Sequence, residues 1–326
     1  MRIKLPGKFG FGTAPLGNMF RDIPDQEAIA TVREVWDQQV RYFDTAPQYG
    51  AGLAELRLGE ALRDEPHADF IVSTKVGRLI SHETEQKEGI FANGRPNKIT
   101  YDYSYDGALR SIQESLERLN MDRVDYVWIH DCAEDAHGEH WRDVFDEAMN
   151  GAAKALTRLR EEGVIRGWGL GVNRVEPCAL ALEKADPDGF LLAGRYTLLD
   201  HDNALENLLP ECEKRGAGVV VGGPYNSGLL AGGEHFDYQK APQDMIDKAR
   251  RIKEICDRFE VDIKAAALQF SMAHPAVAAI IPGASKPDRI AENIAMSEVG
   301  IPAELWQNLK KEGFLPEHAP VPESSS

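Results

Sequence analysis

Residues 42–75 read YFDTAPQYGAGLAELRLGEALRDEPHADFIVSTK, and the order of patterns inside them decides the fold. Tyr42 to Ala46 is a short apolar run, Leu53 to Arg63 carries apolar residues at spacings of three and four, and Phe70 to Lys75 is again short and β-branched. A strand, an amphipathic helix and a second strand in that order read as two parallel strands joined by a crossover helix. Working outward, the same alternation predicts strands at Phe9 to Ala14, Val124 to His130, Ile165 to Val172, Phe190 to Arg195, Gly218 to Gly223 and Ala278 to Pro282. Helical spacing covers Gln26 to Gln39, Tyr105 to Leu119, Trp141 to Glu162, Glu176 to Lys184, Ala204 to Arg215, Asp244 to Phe259 and Pro287 to Met296. Asp25 and Ser104 stand where helix-capping residues belong. Eight strands alternating with eight helices select a closed α/β barrel, the (β/α)8 or TIM barrel, over an open doubly wound sheet, and place residues 1–326 in a single domain.

Composition narrows the partners. The chain is 43% hydrophobic and 28% charged, enough apolar material for a large core. Its 37 Lys and Arg against 53 Asp and Glu leave a formal net charge of -16, which repels a polyphosphate backbone, so nucleic acid is not an expected partner. No run of about 18 uncharged apolar residues occurs, and the start, Met1 to Gly7, lacks the apolar centre of a signal peptide; neither membrane insertion nor export is expected. Cys132, Cys178, Cys212 and Cys256 are scattered without a C-x-x-C pair, which fits reduced thiols in the cytoplasm. The tail Pro320 to Ser326 is expected to fray.

In a barrel of this kind the C-terminal ends of the strands converge on one mouth, where sites are assembled. Three successive strand ends carry complementary acid-base groups: Asp44 with Tyr49 just past it, Lys75, and His130. A buried Lys75 requires a partner, and Asp44 is on the neighbouring strand. The resulting fixed ammonium is expected to lower the pKa of Tyr49 and let it exchange a proton with a substrate oxygen, which His130 orients by a hydrogen bond. Singly, each has a plainer reading as a turn or packing residue; jointly they form a site. Two connections on the same face, 77–103 and 131–140, are long enough to wall a substrate, the plainer reading being tolerated insertions. His82, His137 and His140 lie in them at irregular spacing among acids, so no metal is expected. Cys132 reads as a packed loop thiol and Trp128 as packing.

Asp44-Thr45-Ala46-Pro47-Gln48-Tyr49-Gly50, Ser73-Thr74-Lys75-Val76-Gly77, Leu116-Glu117-Arg118-Leu119 with Val124-Asp125-Tyr126, and Ile281-Pro282-Gly283-Ala284-Ser285 leading to Arg289 and Glu292-Asn293 together resemble the aldo-keto reductase superfamily over nearly the whole chain. The resemblance implies that Asp44, Tyr49, Lys75 and His130 match the family's catalytic tetrad, with Tyr49 as proton donor or acceptor. It also implies an extended nicotinamide cofactor, NAD or NADP, across the barrel mouth. Its adenosine end corresponds to Gly283, Ala284, Ser285, Lys286, Arg289, Glu292 and Asn293, where backbone donors at a helix start favour phosphate. Asn226, Ser227, Gly228 and Leu229 correspond to the loop covering the pyrophosphate, and Gly12, Thr13 and Ala14 to the floor under the nicotinamide, beside Asp44.

Departures from the family pattern cluster at the nicotinamide. Gly171-Val172-Asn173-Arg174 stands where many members read Ser-Asn, leaving Asn173 for the carboxamide. The usual Gln is replaced near Ala193, and the usual stacking aromatic by Gly222, for which Tyr225 is the candidate substitute. Gly283 occupies a position where NADPH-selective members often carry Lys, which points to NAD, although Lys286 and Arg289 remain available to a phosphate. The segments 194–200 and 223–230 resemble the branch of aldose 1-dehydrogenases acting on L-fucose or D-threo-aldoses and of pyridoxal 4-dehydrogenases. That resemblance implies oxidation of a sugar or pyridoxal hemiacetal to a lactone. The alternatives are an NADPH-dependent aldehyde or ketone reductase and a nucleotide-sensing regulatory subunit.

Overall fold

The computed structural model describes residues 1–323. Eight parallel strands run in sequence order around one sheet: β1 (Phe11–Gly12), β2 (Tyr42–Asp44), β3 (Ile71–Val76), β4 (Tyr126–His130), β5 (Gly167–Val172), β6 (Gly189–Ala193), β7 (Gly218–Gly222) and β8 (Val277–Ile281). Bridges from Phe9 to Ile280 and from Gly12 to Gly283 join β1 to β8 and close the barrel. Registers such as Asp44 opposite Ser73 and Lys75 opposite Trp128 bring the ends of β2, β3 and β4 side by side.

Two cores hold the barrel, as its double-sided burial requires. Inside, Tyr42, Ile71, Tyr126, Trp128, Leu191, Val220 and Ile281 fill the cylinder, with Ile3 of the N-terminal segment below them. Outside, the opposite faces of the strands pack on the helices in one continuous apolar layer. The room for Trp128 and Lys75 inside comes from β5: a Cβ added at Gly169 would lie 1.7 Å from the Gly189 carbonyl oxygen, and one at Gly171 would touch both large side chains.

Most predicted elements appear within one or two residues, and some do not. The helix Tyr105–Leu119 is bounded by Ser104, whose hydroxyl accepts the Gly107 N–H, and by left-handed Asn120. Asp25 is the first helical residue rather than the cap, which is Pro24; its carboxylate holds Arg57 at 2.7 Å instead. The expected helix from Trp141 to Glu162 breaks at Gly151 into Trp141–Asn150 and Ala152–Glu161, because the chain turns there against the Tyr103 carbonyl. Ala204 to Arg215 likewise splits at Leu208, ahead of Pro210, into Asp202–Asn207 and Leu209–Arg215. Three further helices lie outside the predicted set: the single turn Glu134–His137 in the connection 131–140, and the longer Ile263–Ala273 and Ala303–Lys311. The connection 77–103 is a hairpin, Arg78–Thr84 against Asn97–Tyr101, and a second small hairpin pairs His235–Phe236 with Gln239–Lys240. Of the expected tail, Val321 packs against the core, and residues 324–326 lie outside the described residues.

Candidate active site

The end of β2 positions the first group. Asp44 and Lys75 are each 1% exposed, and Lys75 Nζ donates to Asp44 Oδ2 at 2.6 Å and to the Thr45 carbonyl at 2.8 Å. The other carboxylate oxygen accepts from Ser73 Oγ at 2.6 Å, which in turn is 2.9 Å from the Tyr42 hydroxyl. Burial pushes the Asp44 carboxyl above its ordinary range, and the ammonium opposes that shift. After β2 the chain turns through left-handed Gly50, where a Cβ would meet the Gly17 carbonyl oxygen at 2.3 Å. That close approach of two glycine backbones locks the turn carrying Tyr49 over the barrel mouth. The Lys75 ammonium lies 4.7 Å from the centre of the Tyr49 ring, and the His130 ring stands edge-on to it at 6.2 Å.

Electrostatics correct one expectation. The Tyr49 phenol is raised well above its ordinary pKa, by burial first and then by the Asp44 and Asp131 carboxylates, with Arg78 opposing the shift. His130 is held well below its ordinary value by burial, with Arg78 and Lys75 adding to it, so its imidazole is neutral at pH 7 and offers one N–H. The tyrosine, in this state, carries its proton.

A cavity of about 530 Å³ runs across the mouth from Asp44 and Tyr49 to Arg289, Glu292 and Asn293. Of the residues expected at the cofactor, Gly12, Ala14, Asn173, Asn226, Ser227, Gly228, Gly283, Ala284 and Ser285 line it. Thr13, Leu229 and Lys286 do not. Thr13 is fully buried, Leu229 turns into the core under a short 3-10 helix, and the Lys286 side chain faces solvent. Asn173 points its amide at Asp135, 3.0 Å away, and Tyr225 is fixed by its hydroxyl on Asn293 Oδ1 at 2.9 Å, at the end expected for adenosine. Missed by sequence reading were Arg21, Asp237, Tyr238 and Lys264, which also line the cavity. Lys264 reaches it from the unforeseen helix Ile263–Ala273, and Glu292 holds both Lys264 and, at 2.7 Å, Arg289; the two cations keep its carboxyl below the usual range.

The loop after β7 arches over this groove. Arg195, 7% exposed, grips Asp237 with two hydrogen bonds of 2.9 and 2.6 Å and Asp200 with a third, while His235 rests on Phe20 across the groove. A smaller cavity of about 160 Å³ opens beside Tyr49, Lys75 and His130; Ile90 and Phe91 of the 77–103 connection wall one side, and Gln48, Asp131 and Tyr238 supply polar groups. An elongated groove rich in glycine, with the Asn226 Oδ1 buried and without a protein partner, fits a dinucleotide, and the smaller cavity meets it at Tyr49. Among the described residues no group of three or more His, Cys, Asp or Glu is placed to hold a metal ion, and Cys132 is buried with its thiol pushed up by burial.

The comparisons with known proteins agree with this geometry. The Aldo/keto reductase family model matches residues 8–312. The chain is 40% identical to a pyridoxal 4-dehydrogenase of Microbacterium luteolum and 36% identical to a D-threo-aldose 1-dehydrogenase of a Pseudomonas species, in each case over 94% of both chains. Among solved structures it is similar to an aldo-keto reductase from Bacillus halodurans in its holo form, with a TM-score of 0.72 and 26% identity over 93% of this chain and 91% of that one. The chain belongs to the aldo/keto reductase family and is an oxidoreductase acting on CH–OH groups with NAD or NADP.

Proposed function

We propose that this enzyme oxidises the cyclic hemiacetal of a sugar or of pyridoxal to the lactone, with Asp44, Tyr49, Lys75 and His130 as its catalytic residues and NAD as the preferred acceptor. The observation that carries the reading is the meeting of the small polar cavity with the long groove at Tyr49, next to a buried Asp44–Lys75 pair. The printed names of the two similar dehydrogenases support it. The bound nicotinamide supplies the hydride acceptor. The neutral His130 N–H holds the hemiacetal oxygen, Tyr49 takes its proton once its own has left to solvent, and Lys75, anchored by Asp44, stabilises the phenolate so formed. Tyr238 and Phe91 screen the reacting carbon from water.

Groove charges support NAD. Gly283 brings no cation, Lys286 lies outside the cavity, and Lys264 and Arg289 are both paired with Glu292, an acceptor suited to ribose hydroxyls, while Asp262 stands 3.5 Å from Lys264 as a second carboxylate. Buried free thiols suit a reducing compartment, and we assign the enzyme to the cytoplasm. The test is NADH formation with a panel of L-fucose, D-arabinose, L-galactose and pyridoxal, repeated with Tyr49→Phe. Turnover on at least one hemiacetal, lost in the variant while nucleotide still binds, is expected; a silent panel ends the reading.

A further inference from the structure

Directly after His130 the chain places a carboxylate in the substrate cavity that no part of the proton-transfer scheme uses. Asp131 lines the small cavity with its side chain 17% exposed, and its Oδ2 lies 3.5 Å from His130 Nε2. Arg78, itself buried, holds that same Oδ2 at 2.5 Å, and the Arg78 guanidinium rests on the Tyr101 ring at 4.9 Å. Among the described residues no donor engages Oδ1, and it is not one of the sealed, partnerless atoms of the interior. Asp131 is also left-handed, with φ of 51°, a conformation an L-residue takes at a cost and which here turns the chain immediately beyond the catalytic strand. Arg78 accounts for one oxygen only. The other is a fixed acceptor open to the place where substrate must lie.

Building on the hemiacetal reading, we infer that Asp131 is a specificity-determining residue that accepts a hydrogen bond from the hydroxyl on the carbon next to the one oxidised, so that the substrate class is the 2-hydroxyaldoses. An ionised carboxylate only accepts, and an oxygen held at His130 Nε2 has its neighbour on the adjacent carbon within reach of Asp131. A sugar hydroxyl donates there. The acidic ring oxygen of pyridoxal, two carbons removed from the reacting atom and readily ionised, instead meets like charge.

The test compares kcat/KM for L-fucose, 2-deoxy-L-fucose and pyridoxal in wild type and in Asp131→Asn, with melting temperature and NADH binding recorded for both proteins. In wild type, removing the 2-hydroxyl is expected to lower kcat/KM roughly 10- to 100-fold, as for one hydrogen bond to a charged group. In Asp131→Asn the loss falls on L-fucose, and the two sugars converge. If the variant fails to fold, the wild-type comparison of the two sugars decides alone. Wild type indifferent to the 2-hydroxyl, active on pyridoxal but on no aldose, or a variant equally impaired on both sugars overturns the inference and leaves the hemiacetal reading standing. Inactivity on every hemiacetal ends that reading itself.

Discussion

Replacing Lys75 by Met tests the Asp44–Lys75 pair where it is most exposed to disproof. Both side chains are 1% exposed and joined at 2.6 Å, so the variant leaves a carboxylate in the barrel interior with Ser73 as its remaining side-chain donor. Removing one partner of a buried pair costs about 3 to 5 kcal/mol. For 326 residues, with about 2.1 cal/mol/K of unfolding entropy per residue, the melting temperature falls by about 4 to 7 °C. The double variant Asp44→Asn, Lys75→Met removes both charges and keeps the shape. It is expected to be no less stable than Lys75→Met alone, a coupling of about 2 kcal/mol or more. Burial raises the Asp44 carboxyl, so in Lys75→Met its folded pKa stands above the unfolded one. The penalty is then full at alkaline pH and relieved as pH falls through the folded value. Calorimetry of Lys75→Met, of Asp44→Asn alone and of the double variant between pH 5 and 8, together with hydride transfer, reads all of this. A Lys75→Met protein that melts within about 1 °C of wild type, or single losses that simply add, would refute the reasoning.

The raised pKa of Tyr49 makes the oxidation an alkaline reaction: a phenol that must lose its proton before accepting another gives kcat/KM that climbs with pH, whereas reduction, which needs the protonated phenol, declines over the same range. Paired pH profiles in the two directions show this, and an oxidation rate flat from neutral to alkaline pH would contradict it. Glu292→Gln removes the carboxylate shared by Lys264 and Arg289 and is expected to raise kcat/KM for NADP by about tenfold or more, at 1.5 to 3 kcal/mol per charge-assisted contact, and to lower it for NAD, whose ribose hydroxyls lose a charged acceptor; steady-state kinetics with both nucleotides decides. Gly169→Ala drives a methyl onto the Gly189 carbonyl oxygen and is expected to cost about 3 kcal/mol or more, read by denaturant melts.

The barrel was legible because its strands are apolar on both faces and most helices on one, so the periodicity changes wherever the element changes. It fails where that contrast disappears. Ile263–Ala273 is buried from Ala265 to Ser271 without interruption and therefore shows no amphipathic stripe to find. Trp141 to Glu162 keeps its helical spacing straight through Gly151, and only contact with the Tyr103 backbone reveals the break. At the site, Asp44, Lys75 and His130 announce themselves by standing at strand ends, with Tyr49 on the turn that follows the first of them. Lys264 and the pairing of Arg78 with Asp131 do not, since each depends on a contact between segments far apart in the chain. The direction of the Tyr49 shift differs from the expectation for a related reason: a sequence names the charges but not how deeply the phenol is buried or how near the Asp44 and Asp131 carboxylates stand to it.

The barrel is joined unevenly. Where β4 and β5 share five paired residues, the join between β1 and β8 rests on two isolated bridges, with hydrogen bonds from Gly10 to Ile280 at 2.8 Å, from Ile280 to Lys8 at 2.9 Å and a long one from Gly12 to Pro282 at 3.5 Å. Gly12 and Gly283, on opposite sides of that join, both line the long groove, so whatever lodges there sits astride the weakest stave of the cylinder. Occupancy then acts as a hoop: by mass action it adds about 2.7 kcal/mol at a hundredfold excess over Kd, and amide exchange slows most at Gly10 and Ile280, where an empty cask springs its leak.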